Sequence, residues 1–359
     1  MSSPPIGDEP VEKRGAYARA GVDIDAQDRA LAGVKKLVRG TFTSGVLSDV
    51  GSFGGLFRPD LSGLSEPVLV ASADGVGTKL RVAQMAGDYT TVGRDLVNHC
   101  VNDILVQGAR PLFFLDYVGA GALEPAAMEQ LVFGVAEACK ENGCALLGGE
   151  TAEMPGFYQE GDYELVGFVV GIVDREKVLD GKRVRPKDVI LGLPSSGLHT
   201  NGYSLARKVF FEDLGLGSHD RIPGSESNAS VSTRLLDVHR SYRRVLEPVL
   251  GLPALHALAH ITGGGLTDNL PRVLPRELSA QVDLGAWEVP EIFRLIERHG
   301  GVDGEEMFRV FNMGIGMCLI VDPDCVTRVQ GALQTVGSAA IPIGTVREGG
   351  GGTQYVTLP

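Results

Sequence analysis

Four polar side chains share one face of a predicted helix. Asp95, His99 and Asn102 occupy positions i, i+4 and i+7, and Asp103 flanks the same stripe. Asp and Asn are poor helix formers, so their clustering on one face needs a reason. Short oxygen ligands on one face suit Mg²⁺, which combines carboxylates with phosphate oxygens and water. We therefore predict a magnesium-binding face here, and the alternative is an ordinary solvated helix face.

A second candidate follows a short apolar run. Asp74 begins the segment DGVGTK, in which Gly75 and Gly77 allow backbone amides to approach an anion. Thr78 and Lys79 complete the segment, and the lysine supplies a positive charge. The spacing is not that of a P-loop, so the segment alone predicts a phosphate contact or an ordinary turn from strand to helix with similar weight.

Acidic side chains also follow two predicted strands. Asp116 ends an apolar run, where a buried carboxylate needs a metal or a hydrogen-bond partner. The loop GGETAEMPG places Glu150 and Thr151 directly after Gly148 and Gly149. A solvent loop is the alternative, but the apolar strand before it favours a site at the strand ends.

Two histidines lie in glycine-containing turns that each open a helix. His199 is followed by Asn201, and His260 precedes three consecutive glycines, which are Gly263, Gly264 and Gly265. Consecutive glycines before a helix predict an anion-binding turn. A single loop histidine is usually incidental, whereas two in matching contexts favour a functional role. The sequence has no G-x-S-x-G signature, so we do not predict a serine nucleophile.

The elements that position these residues alternate between strand and helix. The charged, weakly periodic segment 174–188 predicts a crossing between two layered domains of mixed sheet and helices, 19–174 and 175–359, after a mobile extension at 1–18. Predicted helices are 91–107, 125–141, 233–250, 265–273, 290–299 and 324–335. Predicted strands are 67–71, 111–118, 145–147, 164–173, 189–193, 254–260, 279–284, 314–321 and 340–346.

Composition narrows the class of protein. The 359 residues carry 33 basic and 45 acidic side chains, a net charge of −12, which argues against binding nucleic acid or anionic membranes. Glycine is unusually frequent, at 49 residues, yet 43% of residues are hydrophobic, so the glycines belong to loops of a folded chain. Five irregularly spaced cysteines do not form a disulfide framework or a zinc motif. Without a signal peptide or an apolar run of about 18 residues, we expect a soluble, cytoplasmic protein.

Together these segments resemble the aminoimidazole ribonucleotide synthetase family, the phosphoribosylformylglycinamidine cyclo-ligases. The two loops GGETAEMPG and SSGLHTNGYSLAR are the specific part of the resemblance, whereas DGVGTK is shared more widely. The matching segments run in the family's order and are Ala20–Asp25, Asp74–Lys79, Cys100–Asp103, Pro111–Asp116, Gly148–Gly156, Ser196–Arg207 and His260–Gly265.

The resemblance implies ATP-dependent ring closure of formylglycinamidine ribonucleotide to aminoimidazole ribonucleotide, with Mg²⁺ as a cofactor. It also implies an α+β fold in which the N-terminal sheets of two subunits join into a barrel-like homodimer core. In the family's scheme the nucleotide site would comprise Lys35, Gly51, Gly54, Gly55, Asp74, Gly75, Gly77, Thr78, Lys79, Gly148, Gly149 and Thr151. The metal would be held by Asp74, Asp95, Asn102 and Asp103, and Asn201 and Gly263–Gly265 would bind on the substrate side.

The same resemblance implies that Asp103, Glu150, His199 and His260 are catalytic, and either histidine could carry the proton of ring closure. A second reading is another ATP-using enzyme of the superfamily, such as a thiamine-monophosphate kinase, although that group lacks the GGETAEMPG and His199 loops. A third is a non-catalytic nucleotide-binding relative, which loss of a key acid or histidine would favour. All of these residues are present in the sequence.

Overall fold

A computed structural model describes residues 33–357, and the predicted extension at 1–18 lies outside them. Its strands are β1 (Pro67–Gly75), β2 (Arg110–Ala120), β3 (Ala145–Glu153), β4 (Tyr163–Asp174), β5 (Val189–Pro194), β6 (Leu255–His260), β7 (Leu278–Asp283), β8 (Ile315–Val321), β9 (Ile341–Glu348) and β10 (Thr353–Val356).

Helical residues 33–39 precede the first strand. The later α-helices are α1 (Lys79–Ala86), α2 (Thr90–Leu105), α3 (Pro125–Asn142), α4 (Tyr203–Arg207), α5 (Val231–Leu235), α6 (Arg243–Leu246), α7 (Gly265–Asn269), α8 (Glu291–Gly300), α9 (Gly304–Val310) and α10 (Val326–Thr335). Short 3₁₀ segments lie at Arg175–Lys177, Leu270–Val273 and Pro323–Cys325, and a π-helical segment at Lys208–Asp213.

The N-terminal sheet has four strands in the order β1-β4-β2-β3, antiparallel except for the β2-β3 pair. Helices α2 and α3 cover one face, which buries Leu96, Phe114 and Val169 in the core. The two helices approach closely at Gly93 and Gly134, where a Cβ atom on either residue would collide with the backbone of the other helix. Glycine is needed at this crossing because no side chain fits between the helices.

Within residues 33–357, the opposite face of this sheet is apolar and is not covered by another element. Residues of β1 alternate between partly buried and exposed, as expected of a strand with one covered face. Leu69 on this strand is 65% exposed, and Phe168 on β4 is 45% exposed. Such an apolar face on a small sheet is typical of a surface that meets a partner.

The C-terminal sheet has six strands in the order β10-β7-β9-β5-β8-β6. Strand β8, between β5 and the edge strand β6, is buried along its whole length, which explains its continuous apolar sequence IGMCLIV. Leu333 of α10 packs on one side of the sheet and Leu270 on the other. The fold is therefore α+β with two layered sheets, and across residues 33–357 neither sheet closes into a barrel.

Two predicted elements differ from the structure. The predicted helix 233–250 is broken into α5 and α6, because residues 237–242 form a loop that bonds to α2 instead of to itself. The predicted loop GGETAEMPG is extended from Gly148 to Glu153, because β3 continues in parallel pairing with β2 past the glycines. Helices α1 and α9 and strand β10 have no counterpart in the prediction.

The register of the N-terminal sheet aligns several residues of interest in one row. Asp74 pairs with Gly167, Gly167 also pairs with Asp116, and Asp116 pairs with Gly149. Since directly paired residues point to the same face, the two carboxyl groups lie on the side covered by the helices. The row connects the β1 end of the sheet with the β3 edge.

Within residues 33–357, none of the helices has both the length and the apolar character that a bilayer crossing requires.

Candidate functional site

A cavity of about 470 Å³ lies between the two sheets. The N-terminal half contributes Ser72 and Asp74 from β1 and His99 and Asp103 from α2. The C-terminal half contributes His260, at the end of β6. The packing of the two halves thus brings together acids and imidazoles that are up to 186 positions apart in the sequence, from Asp74 to His260.

Asp103 is the centre of this group. Its Oδ1 accepts a hydrogen bond from His260 Nδ1 at 2.8 Å, and its Oδ2 accepts one from the Ser72 hydroxyl at 3.0 Å. The side chain is still 27% exposed toward the cavity, whereas that of His260 is 3% exposed. The arrangement holds the imidazole in one orientation, with Nδ1 as the donor and Nε2 as the acceptor.

Asp74 is held by His99. Its Oδ2 lies 2.8 Å from His99 Nε2, and its Oδ1 accepts from the backbone amide of Gly75 at 2.7 Å. The same His99 Nε2 lies 3.8 Å from Asp103 Oδ2, so the imidazole stands between the two carboxylates. Asp74 and Asp103 therefore present two oxygen-rich groups side by side at the cavity wall.

Electrostatics keeps both carboxyl groups ionised. Burial opposes the charge on Asp74, but the hydrogen bond and charge of His99 outweigh it and lower the pKa of Asp74 below its ordinary value. For Asp103, burial is likewise outweighed by His260 and His99, and the pKa is lowered. Burial would lower the pKa of His99, but the neighbouring carboxylates raise it overall.

Lys79 and Asp95 do not face the cavity, contrary to the prediction. Both side chains are fully buried, and Lys79 Nζ lies 2.7 Å from Asp95 Oδ2. The amine also donates to the carbonyl of Asp237 at 2.7 Å and to that of His199 at 3.2 Å. Asp95 Oδ1 accepts from the backbone amide of His239. The lysine is thus committed to an internal ion pair, which argues against a phosphate contact for Lys79 and a metal role for Asp95.

Asn102 is also placed differently from the prediction. Its Oδ1 accepts from the Tyr242 amide at 3.0 Å, and its Nδ2 donates to the carbonyl of Arg240 at 2.9 Å. Asn98 donates to the carbonyl of His239 at 2.7 Å. These hydrogen bonds hold the 237–242 loop on α2, and the Asn102 oxygen already accepts one of them, from the Tyr242 amide.

His239 is the neighbour that the sequence analysis missed. Its Nε2 lies 3.1 Å from His260 Nε2, and its ring stacks on His199 with 4.0 Å between ring centroids. Thr200 lies within hydrogen-bond distance of both His99 Nδ1 (2.7 Å) and His239 Nδ1 (3.3 Å). The predicted continuous helix concealed His239, and its only sequence signal was an imidazole among arginines in DVHRSYRR.

His199 occupies the interior of this cluster. It is 1% exposed and adopts φ of +62°, a left-handed conformation that is uncommon for residues other than glycine. Burial, together with the neighbouring His260 and Lys79, lowers the pKa of His199 well below its ordinary value. The 470 Å³ cavity is bordered by His260 and not by His199.

A larger cavity of about 890 Å³ lies at the β3 edge of the N-terminal sheet. The glycine-rich segment 51–55 forms one wall, and the β2 and β3 ends with Asp116 form another. Its predicted site residues are Lys35, Gly51, Gly54, Gly55, Gly148, Gly149, Glu150 and Thr151. This cavity therefore collects the glycine loop and the GGETAEMPG segment, which the sequence separates by about a hundred residues.

Asp116 contributes an unusual carboxyl group to this second cavity. Gly149 lies directly across from it, and a Cβ at that position would collide with Asp116 Oδ1. Glycine at 149 thus leaves space for the acid. Burial raises the pKa of Asp116 to about 7, so the group is largely neutral just below neutral pH.

The pH dependence of stability should carry the signature of Asp116. A raised folded-state pKa means that the folded chain binds a proton that the unfolded chain releases near pH 4, so stability falls as pH rises from about 4 to about 7. The free energy of unfolding of Asp116→Asn, taken relative to wild type, should be about 1–2 kcal/mol higher at pH 7.5 than at pH 5, after allowance for the solvent in the cavity. Urea unfolding without nucleotide at both pH values measures this. The control is Asp213→Asn, at an exposed carboxylate paired with Lys208. If wild type and Asp116→Asn differ in unfolding free energy by the same amount at both pH values, the assignment of a raised pKa to Asp116 is wrong.

The remaining predicted residues lie at other surfaces. Gly77 and Thr78 border a cavity of about 290 Å³ beside Arg81 and Asp162. Asn201 is packed against Gly263, and its buried Nδ2 has no hydrogen-bond partner among residues 33–357. The glycine turn borders a separate opening through Gly263 and Gly264, with φ values of +96° and +58° at Gly264 and Gly265. The predicted site is thus distributed over several adjoining cavities.

Comparison with known proteins assigns both halves of the chain. The N-terminal domain of the AIR synthase related proteins matches residues 61–173, and their C-terminal domain matches residues 185–357. A phosphoribosylformylglycinamidine cyclo-ligase from Geobacter metallireducens is 48% identical over 342 residues, which are 95% of this chain and 98% of the relative. A cyclo-ligase of the same name from Pseudothermotoga lettingae is 48% identical over 93% of this chain and 97% of its own length.

Solved structures share the fold at much lower identity. A thiamine-monophosphate kinase from Stenotrophomonas maltophilia superposes with a TM-score of 0.66 and 19% identity, covering 91% of this chain and 94% of its own. The hydrogenase maturation protein HypE, solved in complex with ATP, superposes with a TM-score of 0.63 and 22% identity, covering 90% and 87%. At these identities the likeness concerns the fold alone.

Proposed function

The chain belongs to the AIR synthase related family, and from this membership we propose that it catalyses the cyclo-ligase reaction of its relatives. The reaction is the ATP-dependent closure of formylglycinamidine ribonucleotide to aminoimidazole ribonucleotide, with release of ADP and phosphate. The observation that carries the site assignment is the pair of ionised carboxylates, Asp74 and Asp103, that share His99 at the wall of the cleft.

The reaction has two steps, phosphorylation and ring closure. In the first, the formyl amide oxygen attacks the γ-phosphorus of ATP, a new P–O bond forms, and the β–γ bridging bond breaks to release ADP. In the second, the amidine nitrogen attacks the activated carbon, the C–O bond to phosphate breaks, and the nitrogen loses a proton. The protein must therefore neutralise negative charge in the first step and accept a proton in the second.

Asp74 and Asp103 fit a magnesium site for the first step. Their donor atoms are carboxylate oxygens, which Mg²⁺ prefers, and both side chains keep exposed area toward the cavity. When bound, Mg²⁺ would supply the positive charge that a chain of net charge −12 does not otherwise place beside the phosphates. Asp95 and Asn102 are left out of this site because their oxygens are already committed inside the protein.

His260 is the group we propose as proton acceptor in ring closure. It borders the cleft, and Asp103 holds its Nδ1–H, so a proton taken up at Nε2 would be shared with His239 Nε2, 3.1 Å away. Burial lowers the pKa of His260 despite the opposing influence of Asp103, so the imidazole is neutral and able to accept a proton at neutral pH. His199 is favoured less, because it does not border that cleft.

We propose that ATP enters at the 890 Å³ cavity, between Lys35, the glycine segment 51–55 and the β3 strand. The residue row from Gly149 through Asp116 and Gly167 to Asp74 spans three strand spacings, on the order of 15 Å. Since Gly167 is packed beneath Leu96 and Phe114, the nucleotide would pass outside the row, with its phosphates directed from the glycine loop toward Asp74. Backbone amides in the glycine-rich segments would contribute hydrogen bonds to those phosphates.

We further propose that the chain forms a homodimer through the uncovered face of the N-terminal sheet, in which the two sheets meet as a barrel-like core. Leu69 and Phe168 supply the apolar area that supports this arrangement. We also propose that residues 19–174 and 175–359 are two functional units, because the strands of the N-terminal sheet end before this boundary and those of the C-terminal sheet begin after it.

The proposed function is tested by measuring ADP release and the aminoimidazole product with purified protein, ATP, Mg²⁺ and the formylglycinamidine ribotide. ADP should form only when the ribotide is present, in a one-to-one ratio with product. Equal ADP release without the ribotide, or phosphorylation of thiamine monophosphate in its place, would reject the proposal.

A further inference from the structure

One arginine borders the cleft between the two sheets. The residues that line this 470 Å³ cavity include three carboxylates, Asp74, Asp103 and Asp180, and among the described lining residues Arg272 is the only lysine or arginine. The ribotide substrate of the proposed reaction carries a phosphate monoester, which adds a charge of about −1.5 to −2 at pH 7. The cleft therefore needs a cation for the substrate as well as one for the phosphates of ATP.

The guanidinium group of Arg272 is largely uncommitted. Its Nη1 donates a hydrogen bond to the neutral Oδ1 of Asn269 at 3.1 Å, and within residues 33–357 no carboxylate oxygen lies within 4.0 Å of its nitrogens. Asp180, which also borders the cleft, is paired instead with Lys182 at 2.6 Å. Most of the N–H donors of Arg272, and its positive charge, are thus available to a ligand.

Asn269 fixes the direction from which the guanidinium is held. Its Nδ2 donates to the carbonyls of Gly263 and Gly265 at 3.1 and 2.9 Å, and because carbonyl oxygens only accept, the amide cannot be turned around. Oδ1 is therefore the atom that faces Arg272. Asn269 is 2% exposed, so a buried amide ties the arginine to the Gly263–Gly265 turn.

The backbone that carries Arg272 is held on both sides of this residue. It belongs to the 3₁₀ segment Leu270–Val273, in which Pro271 lies in the first turn and Leu270 is buried against the C-terminal sheet. Val273 borders the cleft, and a Cβ on Gly181 would collide with its carbonyl oxygen. A group on such a fixed segment loses less conformational entropy when a ligand binds.

We propose that Arg272 binds the 5′-phosphate of the ribotide substrate and that Asn269 positions its guanidinium; this inference rests on the proposed function. The planar fork of an arginine can donate two parallel hydrogen bonds to phosphate oxygens. His260, the proposed proton acceptor, belongs to the same wall of the cleft, which the C-terminal half forms. A ribotide lying along this wall can therefore present its amidine nitrogen to the imidazole and its phosphate to the arginine.

The phosphoryl group transferred from ATP is assigned to the opposite wall. Asp74 and Asp103, the proposed ligands of Mg²⁺, belong to β1 and α2 of the N-terminal half. A metal ion would neutralise the transferred group there, while Arg272 neutralises the permanent phosphate of the substrate. Because each anion has its own cation, loss of Arg272 should weaken the binding of the ribotide and leave the binding of ATP unchanged.

Steady-state kinetics with three variants test this assignment. For Arg272→Met we expect the KM for the ribotide to rise about 10- to 100-fold, the range for losing hydrogen bonds to a charged group, with kcat and the KM for ATP unchanged. Arg272→Lys should recover part of the loss, because it keeps the charge without the planar fork. Arg276→Met, which removes an exposed arginine outside the cleft, is the control and should behave as wild type.

Removing the phosphate from the ligand makes the test specific. Binding of the ribotide and of the corresponding riboside, which lacks the 5′-phosphate, is measured by isothermal titration calorimetry without ATP, so that the result does not depend on turnover. Wild type should bind the ribotide at least about tenfold more tightly than the riboside, and Arg272→Met should lose that preference.

The outcomes separate this inference from the proposed function. If the preference for the ribotide depends on Arg272 but no ADP forms, the phosphate site stands and the cyclo-ligase reaction is rejected. An equal loss of affinity for ribotide and riboside in Arg272→Met, or a loss confined to kcat and the KM for ATP, would overturn the assignment of Arg272 to the 5′-phosphate.

Discussion

Replacing Asp103 by asparagine is expected to lower turnover by roughly 10³-fold while leaving the fold intact. The carboxylate fixes the His260 imidazole at 2.8 Å and belongs to the oxygen pair proposed for Mg²⁺. An asparagine keeps the shape but removes the charge. It also cannot accept hydrogen bonds from both His260 and Ser72, because one of its two ends is a donor.

The measurement for Asp103 is steady-state ADP release over a range of Mg²⁺ concentrations, with thermal unfolding in parallel. We expect kcat to fall, the Mg²⁺ requirement to rise, and the melting temperature to change by only a few degrees. Asp213→Asn, at an exposed surface carboxylate, serves as the control and should behave as wild type. Turnover of Asp103→Asn that equals wild type at saturating Mg²⁺ would remove this residue from the metal site.

Lys79→Met should destabilise the protein by about 3–5 kcal/mol, which is the expected cost of leaving one member of a buried ion pair without its partner. The lysine and Asp95 are both fully buried, 2.7 Å apart, and the amine also bonds two carbonyls. Removing the amine leaves the Asp95 carboxylate charged and without a counterion. Its other oxygen still accepts a hydrogen bond from the His239 backbone amide. Denaturant unfolding measures the loss.

A second substitution separates the two interpretations of Lys79. In Lys79→Met/Asp95→Asn the buried charge is absent, and the asparagine oxygen still accepts from the His239 amide, so at least half of the lost stability should return. The sequence-based interpretation makes the opposite prediction. If Lys79→Met unfolds at the wild-type denaturant concentration and only raises the KM for ATP, Lys79 is a phosphate contact and the structural assignment is wrong.

The helix α2 illustrates how far periodicity carries a prediction. Helical spacing correctly predicts that Asp95, His99, Asn102 and Asp103 lie on neighbouring faces of one helix. It does not predict that Asp103 borders the cleft, that Asp95 forms an ion pair with a lysine, or that Asn102 forms hydrogen bonds with a loop. Lys79 lies 16 residues before Asp95, whereas Tyr242 lies 140 residues after Asn102 and His260 lies 157 residues after Asp103. The last two contacts depend on how the second half of the chain packs on α2.

His239 shows the same limit in another form. The sequence around it reads as the interior of a helix, but the chain there is held in a loop by bonds from Asn98 and Asn102 of α2. Local propensity was overridden because the loop's backbone groups found better-oriented partners on another element than a helix would offer them. The stacked histidine pair that results has no signal in the sequence spacing.

The sequence by itself determined the class of fold, the alternation of its strands and helices, the family, and the segments that carry the chemistry, because buried faces and glycine turns leave local patterns. Only the tertiary structure decided which of those acids are ionised at a cleft and which are neutralised inside the protein. It also decided which imidazoles meet one another. Charges and hydrogen-bond partners interact over a few ångströms in space, and several of the contacts that decide the site join residues more than a hundred positions apart, such as Asp103 with His260.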